Sequence, residues 1–308
     1  MRPELKDKLS GTLVPIVTPM HDDFSLKLEL IPDLVDYLIE GGVRVVIPCG
    51  STGEFSSLTD DERKRVIEHT VQAVNGRIAV IAGVSDTKLT TVIELSNYAE
   101  KVGADGVMIT APYYFLITED EIFKYFTAID DAINIPIMFY NNPATTKLNA
   151  SYDLIQRLSG LKNFGALKEN NSQPVRYYEE LDLFGDQFPV IPAGEPPAIF
   201  NILSGAPGFM SVAANFNPML ITSMLEAARE QRIQDAFELF EILRAYRALF
   251  EARNRQGYPM YVVYAKASLN LIGFDVGRPR PPLQSPSPQE LTLLRGVLKD
   301  VMGLDVVS

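Results

Sequence analysis

Lys168 closes the run Asn163-Phe164-Gly165-Ala166-Leu167-Lys168-Glu169, where a short apolar stretch presents a single amine. In the low dielectric at the end of a buried strand the ammonium form is disfavoured. The free amine can then add to a ketone and form a Schiff base. A lysine after a strand is more commonly a solvated loop residue, so this segment alone leaves both readings open. Cys49-Gly50-Ser51-Thr52-Gly53-Glu54 sets two hydroxyls between glycines. Such a turn can hold a carboxylate on side chains and backbone N–H groups, and it reads equally as an ordinary tight turn. Ala111-Pro112-Tyr113-Tyr114 and Phe139-Tyr140-Asn141-Asn142-Pro143 supply phenols, either as packed aromatics with a wet hydroxyl or as proton donors. With two histidines, His21 and His69, and one cysteine, Cys49, a His-rich or Cys-rich zinc site cannot be built. Proton transfer then falls to Tyr, Lys, Asp, Glu or the substrate itself.

Short Val/Ile/Phe-rich runs alternate with longer amphipathic stretches, and it is these that must position such groups. The pattern predicts strands near 12–18, 44–49, 78–82, 106–110, 135–140, 164–168, 189–193 and 208–212. Helices are predicted between most of them, at Leu28 to Glu40, Thr59 to Val74, Leu89 to Val102 and Glu119 to Ile133, with a capping box at Thr59-Asp60-Asp61-Glu62. Units recurring about every thirty residues fit an α/β fold of the (β/α)8 TIM-barrel type better than an open doubly wound sheet. Neither Gly-x-Gly-x-x-Gly after the first strand nor a Walker A loop is present. The expected organisation is a catalytic barrel over 1–216 and a helical extension over 217–308. The extension carries helices near 218–230, 232–254, 258–272 and 288–302, broken by Arg278-Pro279-Arg280-Pro281-Pro282.

The 308 residues, 46% of them hydrophobic, suffice for one large core. A net charge of −11 without any basic run argues against a nucleic-acid partner. No segment reaches membrane-spanning length, and the charged start of the chain lacks the apolar core of a secretory signal, so no membrane association and a cytoplasmic location are expected. A lone cysteine agrees with a reducing compartment.

Taken in order, these motifs resemble the dihydrodipicolinate synthase and N-acetylneuraminate lyase family of Schiff-base-forming lyases. The resemblance runs from Gly11-Thr12-Leu13-Val14-Pro15-Ile16-Val17-Thr18-Pro19 through Gly50-Ser51-Thr52-Gly53-Glu54, Ala82-Gly83-Val84, Pro112-Tyr113-Tyr114 and Tyr140-Asn141-Asn142-Pro143. It continues to Gly165-Ala166-Leu167-Lys168-Glu169, Ala193-Gly194-Glu195 and Gly208-Phe209-Met210-Ser211-Val212-Ala213-Ala214-Asn215. It implies that Lys168 forms the imine and that Tyr140 moves protons during carbinolamine breakdown and carbon–carbon chemistry. Lys168 and Tyr140 lie 28 positions apart, one βα unit, so their side chains are expected at the ends of neighbouring strands. The resemblance further implies that Ser51 and Thr52, with Gly50, hold the keto-acid carboxylate and link the tyrosine to a proton relay. Thr145, Gly194, Glu195 and Met210 fall at its substrate-binding positions. Tyr114 is the aromatic residue that members contribute across a dimer interface, and the assembly implied is a homotetramer of two dimers. The chemistry needs no metal and no organic cofactor beyond the covalent imine on Lys168.

Two departures bear on substrate. Where dihydrodipicolinate synthases carry an arginine for the second substrate's carboxylate, this chain has Thr145, and a hydroxyl cannot replace a bidentate guanidinium contact. The acidic residues that sialic-acid lyases place after the strand-seven glycine are replaced in Gly194-Glu195-Pro196-Pro197, where Glu195 either touches a polyol or caps the short helix that follows. The expectation is a class I lyase acting on a small-molecule 2-keto acid by aldol cleavage or addition, dehydration or deamination. One alternative is 4-hydroxy-tetrahydrodipicolinate synthase, which condenses pyruvate with aspartate semialdehyde. Another is a barrel that binds keto acids without turnover. A phosphate-binding barrel would place a glycine-rich loop after strands seven or eight, whereas Gly205 and Gly208 precede strand eight.

Overall fold

The computed structural model describes residues 5, 8–171, 173–249 and 260–307. Eight parallel strands form the centre: β1 (Gly11–Val14), β2 (Val43–Val46), β3 (Ala79–Gly83), β4 (Gly106–Thr110), β5 (Ile137–Asn141), β6 (Phe164–Glu169), β7 (Val190–Pro192) and β8 (Gly208–Met210). They run in the order β7-β6-β5-β4-β3-β2-β1-β8, and a bridge between Ala193 and Met210 brings the two ends together. The expected TIM barrel is therefore present. β1 stops at Val14 rather than 18 because Pro15 has no N–H to give to a ladder.

Side-chain alternation sorts each strand into two shells. Leu13, Val45, Ile47, Ala79, Ile81, Met108, Met138, Tyr140, Ala166, Ile191 and Met210 share an inner cluster, which Leu5 and Leu9 of the N-terminal segment join. Val14, Val46, Val80, Val107, Ile109, Phe139 and Leu167 face the helices in a separate cluster. Those helices are α1 (Ile31–Glu40), α2 (Asp60–Val74), α3 (Leu89–Val102), α4 (Glu119–Ala132), α5 (Tyr152–Ser159), α6 (Pro174–Phe184), α7 (Ala198–Leu203) and α8 (Pro218–Arg229). Thr59 and Glu62 close the predicted capping box on α2, and Thr118 and Glu121 make another on α4. Residues 28–30, expected as α-helix, form a 3-10 turn before α1, and Pro32 sits in the first turn of α1, where a missing N–H costs nothing.

The boundary expected at 216/217 falls inside the eighth βα unit. Thr222 of α8 lies 3.0 Å from Thr12 of β1 and donates to the Gly41 carbonyl at 2.9 Å, so α8 covers the β8–β1 seam as a barrel helix. The extension consists of α9 (Ile233–Ala248), α10 (Met260–Leu271), α11 (Pro288–Gly296) and a π-turn, Val297–Val301. The expected spans 232–254 and 258–272 reach partly into 250–259, outside the described residues. Arg280 straps this extension to the barrel. Its guanidinium meets both Glu62 oxygens, at 2.9 and 2.7 Å, and the carbonyls of Ser57 and Phe24, each at 2.6 Å.

Gly83, the last residue of β3, permits the closest backbone approach in this region. A Cβ there would lie 2.2 Å from the Cys49 carbonyl oxygen and 2.8 Å from the Gly50 nitrogen. Gly83→Ala must push back the turn that carries Ser51 and Thr52. We expect a loss of about 1–3 kcal/mol in urea unfolding, the usual range for overpacking, with weaker keto-acid binding by calorimetry.

Candidate active site

Within β6 the alternation sends Ala166 and Lys168 into the barrel and Leu167 toward the helices. Glu169 turns away from the barrel interior. Its carboxylate accepts from Asn141 Nδ2 at 2.8 Å and lies 3.6 Å from Arg176 of α6, which also reaches Glu180 at 2.9 Å. Burial and the neighbouring Glu169 push the Glu180 carboxyl well above the usual carboxylate range, against the pull of Arg176. Lys168 faces a different environment. Its Nζ lies 3.7 Å from Met108 Sδ and 3.5 Å from the centre of the Tyr140 ring. Burial lowers its pKa to about 7, so near neutral pH a substantial fraction of the amine is free.

Tyr140 of β5 pairs in register with Lys168, which makes the two side chains neighbours across the ladder. Its hydroxyl is pushed well above the usual phenol range, first by burial and then by the nearby Tyr261 and Glu169. Hydrogen bonds from the Asn142 and Asn170 side chains oppose that rise. The group therefore stays protonated near neutral pH. Asn170 Nδ2 donates to Asn142 Oδ1 at 3.1 Å, tying the loops after β5 and β6 together above the phenol.

A cavity of about 170 Å³ opens over Lys168 at the carboxyl ends of the strands, where barrel enzymes place their chemistry. Ser51, Thr52, Tyr140, Thr145, Lys168, Gly194, Glu195 and Met210 all contribute to its wall, as their strand-end positions predict. Ser51 and Thr52 belong to a turn bounded by Cys49 and Glu54, both non-glycine residues with positive φ, 55° and 58°. The buried thiol of Cys49 is pushed up to about 12 by burial, which leaves it an inert packing group. Gly194 has φ 92°, and a Cβ there would meet Asn170 Oδ1 at 2.9 Å. Gly50, expected among the carboxylate-binding residues, does not line the cavity. Tyr114 lies outside it, 80% exposed, beside the equally exposed Phe115 and Leu116.

Glu195 caps a different segment from the one expected. Its Oε1 accepts from Ser211 Oγ at 3.2 Å and from the N–H groups of Val212 and Ala213 at 3.0 and 3.4 Å, so it caps the turn after β8 and not α7. Lys147 is exposed and off the cavity wall. Sequence reasoning missed Asn142, Asn170, Met108 and Tyr261. Each asparagine lies two positions after a singled-out residue, Tyr140 or Lys168, a usable signal, whereas Tyr261 lies far along the chain with none. Among the described residues no group of three or more His, Cys, Asp or Glu could hold a metal ion, and no helix is long and apolar enough to cross a membrane.

A desolvated lysine beside a buried phenol, at the carboxyl end of a (β/α)8 barrel, defines a class I, Schiff-base-forming lyase. The chain belongs to the dihydrodipicolinate synthetase family, whose model matches residues 8–301. A 4-hydroxy-tetrahydrodipicolinate synthase of Pelobacter propionicus is 36% identical over 275 residues, covering 89% of this chain and 93% of the relative. One from Clostridium novyi is 32% identical, covering 94% and 96%. Among solved structures, dihydrodipicolinate synthase from Aquifex aeolicus superposes with a TM-score of 0.90 at 28% identity, covering 97% of this chain and all of that one. The Acinetobacter baumannii enzyme complexed with pyruvate gives 0.88 at 29% identity, covering 96% of this chain and all of that one.

Proposed function

We propose that this lyase forms an imine between Lys168 and a 2-keto acid of the pyruvate type, and that the rest of its substrate is neutral and polar. The observation that carries this reading is the cavity wall: Lys168 is its one cationic residue among those described, and Thr145 stands at the rim. The keto-acid carboxylate docks on the Ser51 and Thr52 hydroxyls, which sets the ketone carbon before the free amine. Attack gives a carbinolamine. Tyr140 then protonates the departing hydroxyl, water leaves, and the resulting iminium draws electrons from the adjacent carbon, allowing bond cleavage, addition or elimination. The imine itself is the electron sink, so no metal or organic cofactor is required. Pyruvate bound in the Acinetobacter baumannii relative supports the keto-acid half.

The names of the curated relatives favour a second reading, condensation of pyruvate with aspartate semialdehyde. In that reaction the second carboxylate needs a cation at the mouth. Arg280 lines the adjoining cavity, with both Nη groups already held by Glu62. A charge-assisted hydrogen bond contributes about 1.5–3 kcal/mol, roughly ten- to hundredfold in rate. We therefore expect kcat/KM for aspartate semialdehyde to fall at least about tenfold below that for the best keto-deoxy sugar acid or hydroxylated keto acid in a coupled-assay panel. Aspartate semialdehyde as the best substrate by a wide margin would reverse this assignment. The exposed run Tyr114-Phe115-Leu116 supports pairing of two copies through this loop, within the homotetramer that the family resemblance implies.

A further inference from the structure

Behind the reacting amine, on the helix side of β6, three ionisable side chains are taken almost wholly out of water. Those of Glu169, Glu180 and Arg176 are 1%, 0% and 12% exposed. Asn141 and Glu169 pair in register one step along the ladder from Tyr140 and Lys168, so this outer pair stands directly behind the inner one. The cluster is short of donors. Glu169 Oε2 accepts from Asn141 Nδ2 at 2.8 Å, with Arg176 Nε 3.6 Å away. Arg176 Nη2 lies 2.9 Å from Glu180 Oε1 and donates to the Ala150 carbonyl at 2.6 Å. Among the described residues no hydrogen bond reaches Glu169 Oε1 or either oxygen of Glu180, all of them buried. Two carboxylates against one guanidinium would leave a buried negative charge uncompensated and these oxygens unpaired, whereas one proton between the acids removes both deficits. Other titratable groups face the pair from the elements around it. Tyr152 of α5 carries the Arg176 guanidinium 5.0 Å over its ring and donates to the exposed Glu179 at 2.5 Å, Tyr177 of α6 donates to the Val190 carbonyl at 3.0 Å, and Tyr140 of β5 feels the charge of Glu169. β7 and α7 carry no titratable side chain.

We propose that Glu169 and Glu180 share one proton and form with Arg176 a neutral triad, which withholds negative charge from Lys168 and so leaves its amine free to add to a ketone. Two ionised acids behind the strand end would attract and retain the ammonium form, which cannot attack a carbonyl. With the proton in place the two acids carry one negative charge between them, and the guanidinium cancels it. Burial lowers the Lys168 amine with no acid opposing it, although Glu169 is the next residue in the chain. Glu169, Glu180 and Arg176 line no part of the cavity over Lys168. They are positioning residues that act through the charge they set behind the amine.

The proposal rests on the Lys168 imine, and its test separates the two. Parent protein, Glu169→Gln, Glu180→Gln and the double variant are incubated with pyruvate and cyanoborohydride at a series of pH values. The pH midpoint for trapping at Lys168 and the thermal melt are followed for each. A glutamine amide donates where the shared proton did, so either single variant keeps one carboxylate against one guanidinium. Each single variant is expected to hold the parent midpoint within about 0.2 pH unit. The double variant leaves Arg176 as an uncompensated cation that repels the ammonium, and its midpoint is expected to fall by at least about half a pH unit. Single variants that each lower the midpoint overturn the proposal, since both acids would then be ionised in the parent. A double variant with the parent midpoint also overturns it, because the amine would not feel the triad. If the double variant does not fold, infrared spectra of the parent decide. The carbonyl stretch of a protonated carboxyl is expected at neutral pH and is lost in Glu180→Gln, and its absence from the parent overturns the shared proton. Absence of trapping at Lys168 in the parent would instead overturn the imine beneath the proposal.

Discussion

Lys168→Ala is expected to abolish borohydride trapping of pyruvate and to lower kcat/KM by on the order of a thousandfold or more, because no other group can become the electron sink. Intact-mass analysis of the trapped protein, followed by peptide mapping, checks it, and an adduct on any other lysine would sink the assignment. The same position carries a stability prediction. The amine's pKa is lowered from 10.5 to about 7 by burial, so the folded state binds fewer protons than the unfolded chain between those values. Holding the charged amine in the barrel costs on the order of 5 kcal/mol. That cost is fully present below pH 7 and fades as pH rises toward 10.5. Lys168→Met, which fills the space with an apolar chain of similar length, should therefore raise Tm at pH 6 and do so progressively less toward pH 10. A gain independent of pH would mean that the lysine does not titrate near neutrality.

Tyr140→Phe should cost on the order of a hundredfold or more in kcat, with little change in keto-acid binding. The substitution is informative because the ring is retained. Lys168 Nζ keeps its partner at 3.5 Å from the ring centre, and the register of β5 on β6 is untouched, so packing and the environment of the amine survive. Only the hydroxyl that Asn142 and Asn170 hold is removed. Steady-state turnover close to that of the parent would reduce Tyr140 to a packing residue. Slow imine formation with near-normal later steps would locate its contribution in carbinolamine dehydration.

Much of the barrel was legible in the sequence because its determinants are local. Period-two alternation decides which strand residues face inward, and a spacing of one βα unit brings Tyr140 and Lys168 to adjacent strand ends whatever the loops do. Turn composition similarly marked Ser51 and Thr52, and the capping box at Thr59 marked the start of α2. The boundary expected at 216/217 rests on a weaker kind of signal. A change from βα alternation to consecutive helices is visible along the chain, but it does not say that α8 packs on β1.

The chain by itself determined the barrel, the strand-end placement of the lysine and the phenol, and the absence of an arginine at position 145. Only the tertiary structure decided that the Lys168 amine has a ring and a thioether for neighbours, and that Glu195 is spent on the turn after β8. It alone brought Tyr261 to Ser51 across more than two hundred positions of chain. A residue's own strand or helix is encoded in its neighbours, whereas a contact between distant segments depends on how whole elements pack. A single sequence carries no periodic signal for that packing.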